Sequence, residues 1–211
     1  MNQYDETFQT WNKIAKLYES KFMHMDLYNQ TYDFFCENIP NNNAHILELG
    51  CGPGNITRYL LSQKPNWQIL GTDIAPNMVA LAQANNPTAR FEVRDCRQIS
   101  DLPQPFDGIV AGFCLPYLSE TEAEKFVADA CKLLKPQGVL YVSFVGGKAE
   151  LSGFKTNGEG DRVYFYYHDT QQISLFLEKY GFEMLQRFAI NYPLKDQNTE
   201  IHDVWVCRLK K

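Results

Sequence analysis

The chain has little of what marks a nucleic-acid binder, a membrane protein or a metalloprotein. Of its 211 residues, 20 are Lys or Arg and 25 are Asp or Glu, a formal net charge of −5. That balance lacks the basic face that neutralises phosphates, so nucleic acid is not an expected partner. Arg208, Lys210 and Lys211 read as a solvated chain end. No run reaches the roughly 18–20 apolar residues of a membrane span. The opening stretch, Met1 to Glu6, is polar and acidic, unlike a secretory signal. Six cysteines, Cys36, Cys51, Cys96, Cys114, Cys131 and Cys207, form no C-x-x-C pair, which excludes zinc-knuckle and dithiol spacing. His24 has no carboxylate or thiolate companion in a metal-ligand pattern, so no metal is expected. The expected location is the cytoplasm.

What is present is an ordinary globular composition, 45% hydrophobic and 21% charged. The length fits one compact domain. Short apolar runs alternate with helical patterns from residue 45 onward. Strands are expected over 45–50, 67–73, 90–95, 106–115 and 139–145, with helices over 53–62 and 75–85. Ser119 and Glu122 form a capping-box pattern ahead of Ala123, Phe126, Val127 and Ala130 on one helical face. Alternation of this kind implies a Rossmann-like, mostly parallel sheet with helices on both faces. A helix over 170–180, with Asp169 as N-cap and Gly181 as its stop, precedes two strand-like runs, 182–192 and 201–209. Their short polar linker predicts an antiparallel hairpin, giving seven strands with the last antiparallel. Residues 1–40 read as a helical extension, with Phe8, Trp11, Ala15 and Tyr18 at helical spacing. The domain proper is 41–211, and 148–169 interrupts its rhythm as an insertion.

Gly50, Gly52 and Gly54 lie between the first strand and the first helix. Glycines there permit positive φ and close approach of a ligand to the backbone. Asn55 breaks the G-x-G-x-x-G dinucleotide fingerprint, and no G-x-x-x-x-G-K-[ST] loop is present. Asp73, ending the second strand, suits the paired hydroxyls of a ribose. Asp95, ending the third, suits an exocyclic amine such as adenine N6. Taken singly, each is equally a strand-end turn residue.

Together these residues resemble the class I S-adenosylmethionine (SAM)-dependent methyltransferases over roughly 40–211. Glu48, Gly50, Gly52 and Gly54 match the E-x-G-x-G-x-G motif, and Asp73 and Asp95 match the ribose and adenine positions. Phe106 to Val110 resembles the fourth-strand motif. Leu133 to Gly138 resembles the L-x-P-G-G turn, with Gln137 where glycine is commoner. The resemblance implies SAM as cofactor. It sets Gly50 and Gly52 against the methionine part and Ile74 and Met78 near the adenine. Asp95 and Cys96 then face the adenine edge, and Cys51, Phe113 and Tyr18 complete the cofactor set. An aminopropyltransferase would carry an Asp in the glycine loop, which is absent here. A non-catalytic SAM-binding module is the alternative, distinguished by the lack of an acceptor pocket.

Cys114, Leu115, Pro116 and Tyr117 follow the fourth strand, where the family's amide- and amino-directed enzymes carry [DNS]-P-P-[YFW]. That departure favours methyl transfer to a small-molecule acceptor. In methyl transfer the protein mainly aligns nucleophile and methyl, so no universal catalytic residue is required. Tyr164, Tyr166 and His168 share one face if 163–168 is extended. This places the acceptor pocket beneath the insertion, whose glycines are Gly153, Gly158 and Gly160. His168 reads either as a general base or as a polar residue on an edge strand; Tyr164 and Tyr117 are further catalytic candidates. Trp11 and Tyr18 read equally as a lid over the cofactor or as the stripe attaching their helix.

Overall fold

Apolar residues alternating along the strands 45–49 and 134–145 point to both faces of one sheet, and each face collects its own helices. The computed structural model describes residues 2–102, 105–157, 159–194 and 198–210; Met1, Gly158 and Lys211 lie outside them. In chain order the elements are α1 (Gln3–Lys13), α2 (Ala15–Phe22), α3 (Asn29–Glu37), β1 (His45–Leu49), α4 (Asn55–Gln63) and β2 (Gln68–Asp73). Then come α5 (Pro76–Asn85), β3 (Arg90–Val93), β4 (Phe106–Ala111), α6 (Glu120–Leu133) and β5 (Leu134–Val145). The chain ends with β6 (Gly153–Thr156), β7 (Arg162–Phe165), α7 (Thr170–Lys179), β8 (Phe182–Pro193) and β9 (Thr199–Leu209).

The seven-stranded sheet has the order β3-β2-β1-β4-β5-β9-β8. Strands β1 to β5 pair in parallel, and β9 runs antiparallel to both β5 and β8. Leu140, Val142 and Phe144 of β5 pack with α6 and α7, whereas Val139 and Tyr141 pack with α3 and α4. This period of two, buried on both sides, is the pattern of a covered parallel sheet. Because β2 and β4 flank β1 on opposite sides, the chain reverses direction there and opens a crevice at the strands' carboxyl ends.

Caps fix the ends of the helices where the sequence placed them. Ser119 and Glu122 form the reciprocal capping box of α6, and Asp169 accepts from the Gln171 amide at the start of α7. Boundaries differ from expectation at the end of β4, within the N-terminal helical stretch, and at the start of β5, which begins at Leu134 ahead of the expected residue 139. Strand β4 stops at Ala111, because Gly112 and Phe113 turn the chain and Leu115–Tyr117 closes a 3-10 turn. The N-terminal apolar stripe is split between two helices by a break at Ile14. Gln137 sits at φ +67, carrying in a non-glycine residue the left-handed turn that the family motif gives to glycine.

The insertion forms a separate antiparallel hairpin, β6–β7, and it supports α1. Thr10 donates to the Arg162 carbonyl at 2.8 Å, and the Tyr164 amide donates to Thr7 Oγ1 at 2.9 Å. Arg162 pairs with Glu6, and Lys13 pairs with Asp161 at 2.6 Å. Thus α1 and α2 span the carboxyl ends of the sheet, held at one end by this hairpin. Phe8, Trp11, Ala15 and Tyr18 pack there against Ala75 and Met78.

Candidate active site

The loop after β1 takes its shape from three left-handed glycines at alternate positions, with φ of +64 at Gly50, +52 at Gly52 and +83 at Gly54. An L residue in that region costs about 1–2 kcal/mol. A Cβ on Gly50 would lie 2.7 Å from Cys114 Sγ, so that glycine is also required by space. At Gly52 the nearest atom is 3.5 Å away, on Tyr18. That amide is anchored instead by Asp73, whose Oδ2 accepts from Gly52 N at 2.9 Å and whose Oδ1 accepts from Ala75 N at 2.8 Å. Burial raises the Asp73 carboxyl above its ordinary range, against the lowering effect of those two amides. Each carboxylate oxygen keeps a lone pair for a hydroxyl.

A cleft of about 140 Å³ opens beside this loop, lined by Gly50, Gly52, Asp73, Ile74, Met78, Asp95, Cys96, Phe113 and Tyr18. All were expected there. Ile74 leaves 37% of its surface exposed, an apolar wall for a flat ring to cover. Tyr4, Thr7 and Trp11 of the N-terminal helices close the other side, so the stripe both attaches the helices and walls the cleft.

Three expected cofactor residues do not line it: Glu48, Cys51 and Gly54. Glu48 is wholly buried under the loop, where Thr57 of α4 donates to Oε2 and Oε1 has no partner. Burial pushes its carboxyl up to about 8. It ties α4 to β1, while Cys51 is core and Gly54 is the left-handed N-cap of α4. Asp95 reaches the cleft, yet Arg97 engages both its oxygens, with Nε at 3.0 Å from Oδ1 and Nη2 at 2.6 Å from Oδ2. Most of its acceptor capacity is taken from within the chain.

A second cavity, of about 500 Å³, adjoins the cleft through Gly50, Gly52, Gly112, Phe113, Trp11, Tyr18 and Tyr117. Its far walls are Tyr28, Tyr32, Tyr192, Glu200 and His202. Tyr164, Tyr166 and His168, expected over the acceptor pocket, do not border this cavity. Those three residues line a different hollow with Glu120 and Gln172, and the insertion reaches the large cavity through Phe165 and Asn157. Strand alternation explains the reversal: the face carrying Tyr164 and Tyr166 is occupied by α1, through Gln3 and Tyr4. His168 is 4% exposed, and its Nε2 lies 2.8 Å from the Leu115 carbonyl, so it braces the 3-10 turn. Burial lowers its pKa, and it reaches neither the cleft nor the larger cavity. Tyr117 lines both, and burial raises its hydroxyl far above the ordinary value.

The residues that sequence reasoning missed come mainly from the C-terminal hairpin. His202 Nδ1 lies 2.6 Å from the Tyr28 hydroxyl, and its Nε2 lies 3.2 Å from Glu200 Oε2. Its ring stacks on Tyr192 at 4.6 Å and meets Phe113 edge-on at 4.8 Å. Phe113 is itself held at φ +56, its amide donating to Ser143 Oγ at 2.8 Å. Strain of this kind, of order 1–3 kcal/mol, persists where surrounding structure enforces it and clusters at functional sites. The missed signal was the histidine-bearing face of β9, where His202 and Val204 share one side of the sheet and Asp203 and Trp205 the other.

Sheet order, glycine loop and strand-end acids resemble those of the class I SAM-dependent methyltransferases. Residues 46–138 match the family model described as Methyltransferase domain. Among curated proteins the chain is similar to trans-aconitate 2-methyltransferase of Variovorax paradoxus, at 33% identity over 107 residues, 51% of this chain and 40% of that protein. The chain aligns with less than half the length of the curated relatives it matches. Among solved structures it resembles magnesium protoporphyrin IX methyltransferase from Synechocystis with bound SAM. The TM-score is 0.73 at 16% identity, over 99% of this chain and 97% of the other. It also resembles the Burkholderia thailandensis 1,6-didemethyltoxoflavin-N1-methyltransferase, with TM-score 0.71 at 16% identity, over 100% and 92% of the two chains. At such identities the likeness is one of fold. Among the described residues no helix is long and apolar enough to cross a membrane, and no group of three or more His, Cys, Asp or Glu is placed to hold a metal.

Proposed function

We propose that this chain transfers the methyl group of SAM to a small-molecule acceptor seated in the larger cavity. The observation that carries the reading is the shared wall: Gly50, Gly52, Tyr18, Phe113 and Tyr117 border both the cofactor cleft and that cavity. A non-catalytic SAM-binding module has no need of such a space, and its presence weighs for the enzyme. The relatives point the same way, since trans-aconitate and 1,6-didemethyltoxoflavin in their names are small molecules. On this reading residues 41–211 form the catalytic domain and residues 1–40 its helical lid, carried on the insertion 148–169.

SAM supplies the reactive methyl and sulfonium leaving group; the chain's work is to hold, align and exclude water. Asp73 holds the ribose, Ile74 and Met78 cover the adenine, and Gly50 and Gly52 let the amino-acid part approach the backbone. The test is calorimetry with SAM, S-adenosylhomocysteine and NAD. The first two are expected to bind and NAD not to. Asp73→Ala is expected to weaken both by about 10- to 150-fold, the loss of one charged hydrogen bond of ~1.5–3 kcal/mol. Unchanged affinity in a folded Asp73→Ala protein refutes the ribose assignment. NAD binding in place of SAM refutes the function.

A further inference from the structure

The larger cavity contains a connected set of polar side chains in a wall rich in aromatic residues. Tyr28, at the start of α3, and His202 and Glu200, on β9, come from opposite ends of the chain and meet there at 2.6 Å and 3.2 Å. Lys155 of β6 lies 3.3 Å from Glu200 Oε1, and the Tyr167 hydroxyl donates to the same oxygen at 3.2 Å. Burial would raise the Glu200 carboxyl, but Lys155 and His202 outweigh it and hold the group below its ordinary range. Glu200 is therefore a carboxylate and only accepts, which makes His202 Nε2 the donor. In the neutral ring Nδ1 then carries the lone pair and accepts the Tyr28 hydrogen. The phenol oxygen of Tyr28 keeps its own lone pairs, and the residue lines the cavity.

Resting on the methyl-transfer reading above, we infer that Tyr28, His202 and Glu200 form a proton relay for a neutral aromatic acceptor methylated at a hydroxyl group. Two features select that acceptor class. A carboxylate acceptor is already deprotonated at neutral pH and needs no base, whereas a phenol must lose its proton as the new bond forms. The walls are Tyr28, Tyr32, Phe113, Phe165 and Tyr192, and among the described lining residues the cation is Lys21, set against the anion Glu200. A polycarboxylate would enter that space with its charges largely unpaired.

In the step, the acceptor oxygen forms its bond to the methyl carbon, and the electron pair of the broken carbon–sulfur bond stays on sulfur. The acceptor's proton passes to the Tyr28 oxygen as the Tyr28 hydrogen passes to His202 Nδ1. Glu200 holds the imidazolium until it returns a proton to water. Tyr28 is the catalytic residue, touching the acceptor; His202 receives the proton and Glu200 is a positioning residue. The groups facing His202 are Tyr28, Tyr192, Glu200 and, beyond Glu200, Lys155 and Tyr167.

The test uses the full chain loaded with S-adenosylhomocysteine and two probes, naphthol and the tricarboxylate trans-aconitate. Calorimetry is expected to show naphthol binding at least about tenfold more tightly than trans-aconitate, a difference of ~1.4 kcal/mol. Failure of S-adenosylhomocysteine to bind overturns the methyl-transfer reading and this inference with it. Its binding without naphthol binding, or a preference for trans-aconitate, overturns this inference alone. With SAM, naphthol is expected to be methylated, and Tyr28→Phe and His202→Gln are expected to lower kcat by about 10²- to 10⁴-fold with KM little changed. Bound naphthol that is not methylated overturns the relay, as does full kcat in Tyr28→Phe.

A further readout separates chemistry from structure. Burial lowers the His202 pKa while Glu200 raises it, so activity is lost as pH falls through a midpoint below 6.5. Nitrogen NMR of the His202 ring is expected to give the same midpoint in the protein without SAM. In Glu200→Gln, whose side chain is 23% exposed and replaceable without a cavity, both midpoints are expected to move to lower pH. Midpoints that stay in place, or that move independently, overturn the relay.

Discussion

In the cofactor cleft, Gly50 with Gly52, Asp73 with Ile74, and residues 94–97 arrive from three successive strand-end loops. In the cavity beside it, Tyr28, Phe113, Phe165, Tyr192 and His202 arrive from the N-cap of α3, the turn after β4, and β7, β8 and β9. The cleft is fixed by backbone shape, through three left-handed glycines and amides held by Asp73. The cavity is fixed by side chains packed ring on ring. Backbone recognition suits a cofactor common to many enzymes, and a side-chain wall can change with the acceptor while the sheet stays the same.

The comparison breaks most severely at Gly50. Gly50→Ala adds a Cβ at 2.7 Å from Cys114 Sγ and keeps φ at +64. It is expected to abolish measurable S-adenosylhomocysteine binding and to lower the melting temperature. Calorimetry showing near-normal affinity would mean that the loop shape is not what binds the cofactor.

Glu48 tests whether the loop's buried support is electrostatic. Its carboxyl titrates near 8 in the folded protein against an ordinary value of 4.5, because it is buried. The folded state thus holds a proton that the unfolded state releases. Its contribution to stability is complete below pH 4.5 and is lost as pH rises through about 8. Glu48→Gln is expected to remove that decline, which denaturant unfolding from pH 5 to 9 would reveal by ~one flat profile against a falling one. Parallel profiles would disprove it.

On the cavity side, Tyr192→Ala removes the ring stacked on His202 at 4.6 Å. An aromatic pair contributes ~0.5–1.5 kcal/mol, so the acceptor KM is expected to rise by about 2- to 12-fold with cofactor affinity unchanged. Tyr164→Ala, on the opposite face of the insertion, is expected to leave that KM alone. Steady-state kinetics with naphthol checks both, and the reverse order would restore the pocket beneath Tyr164. Asp95→Asn should have the smallest effect, within about fivefold in cofactor affinity. Arg97 already occupies that carboxylate, and partly exposed ion pairs contribute ~1 kcal/mol or less. A loss as large as that of Asp73→Ala would show that Asp95 reads the adenine directly.

The mostly parallel seven-stranded sheet, its antiparallel last strand and the glycine loop were legible in the sequence. Each rests on local rules: period-two burial, caps such as Ser119 with Glu122, and glycines spaced for left-handed backbone. Spacing also brought Asp73 to the cleft, because a parallel strand delivers its carboxyl end to the switch point whatever its neighbours are. It did not separate Glu48, Cys51 and Gly54 from the lining residues, since burial beneath a loop has no signature along the chain. Nor did it show which face of 163–168 meets the cavity. That was settled by α1, which lies across the Tyr164 face through contacts more than 150 residues distant in sequence. The meeting of Tyr28 with His202, separated by 174 positions, was likewise decided only when the sheet closed against α3. The sequence by itself determined the cleft beside the glycine loop, through backbone geometry encoded in neighbouring residues. Only the tertiary structure decided what lies beside it, because a wall of side chains exists only once distant elements pack.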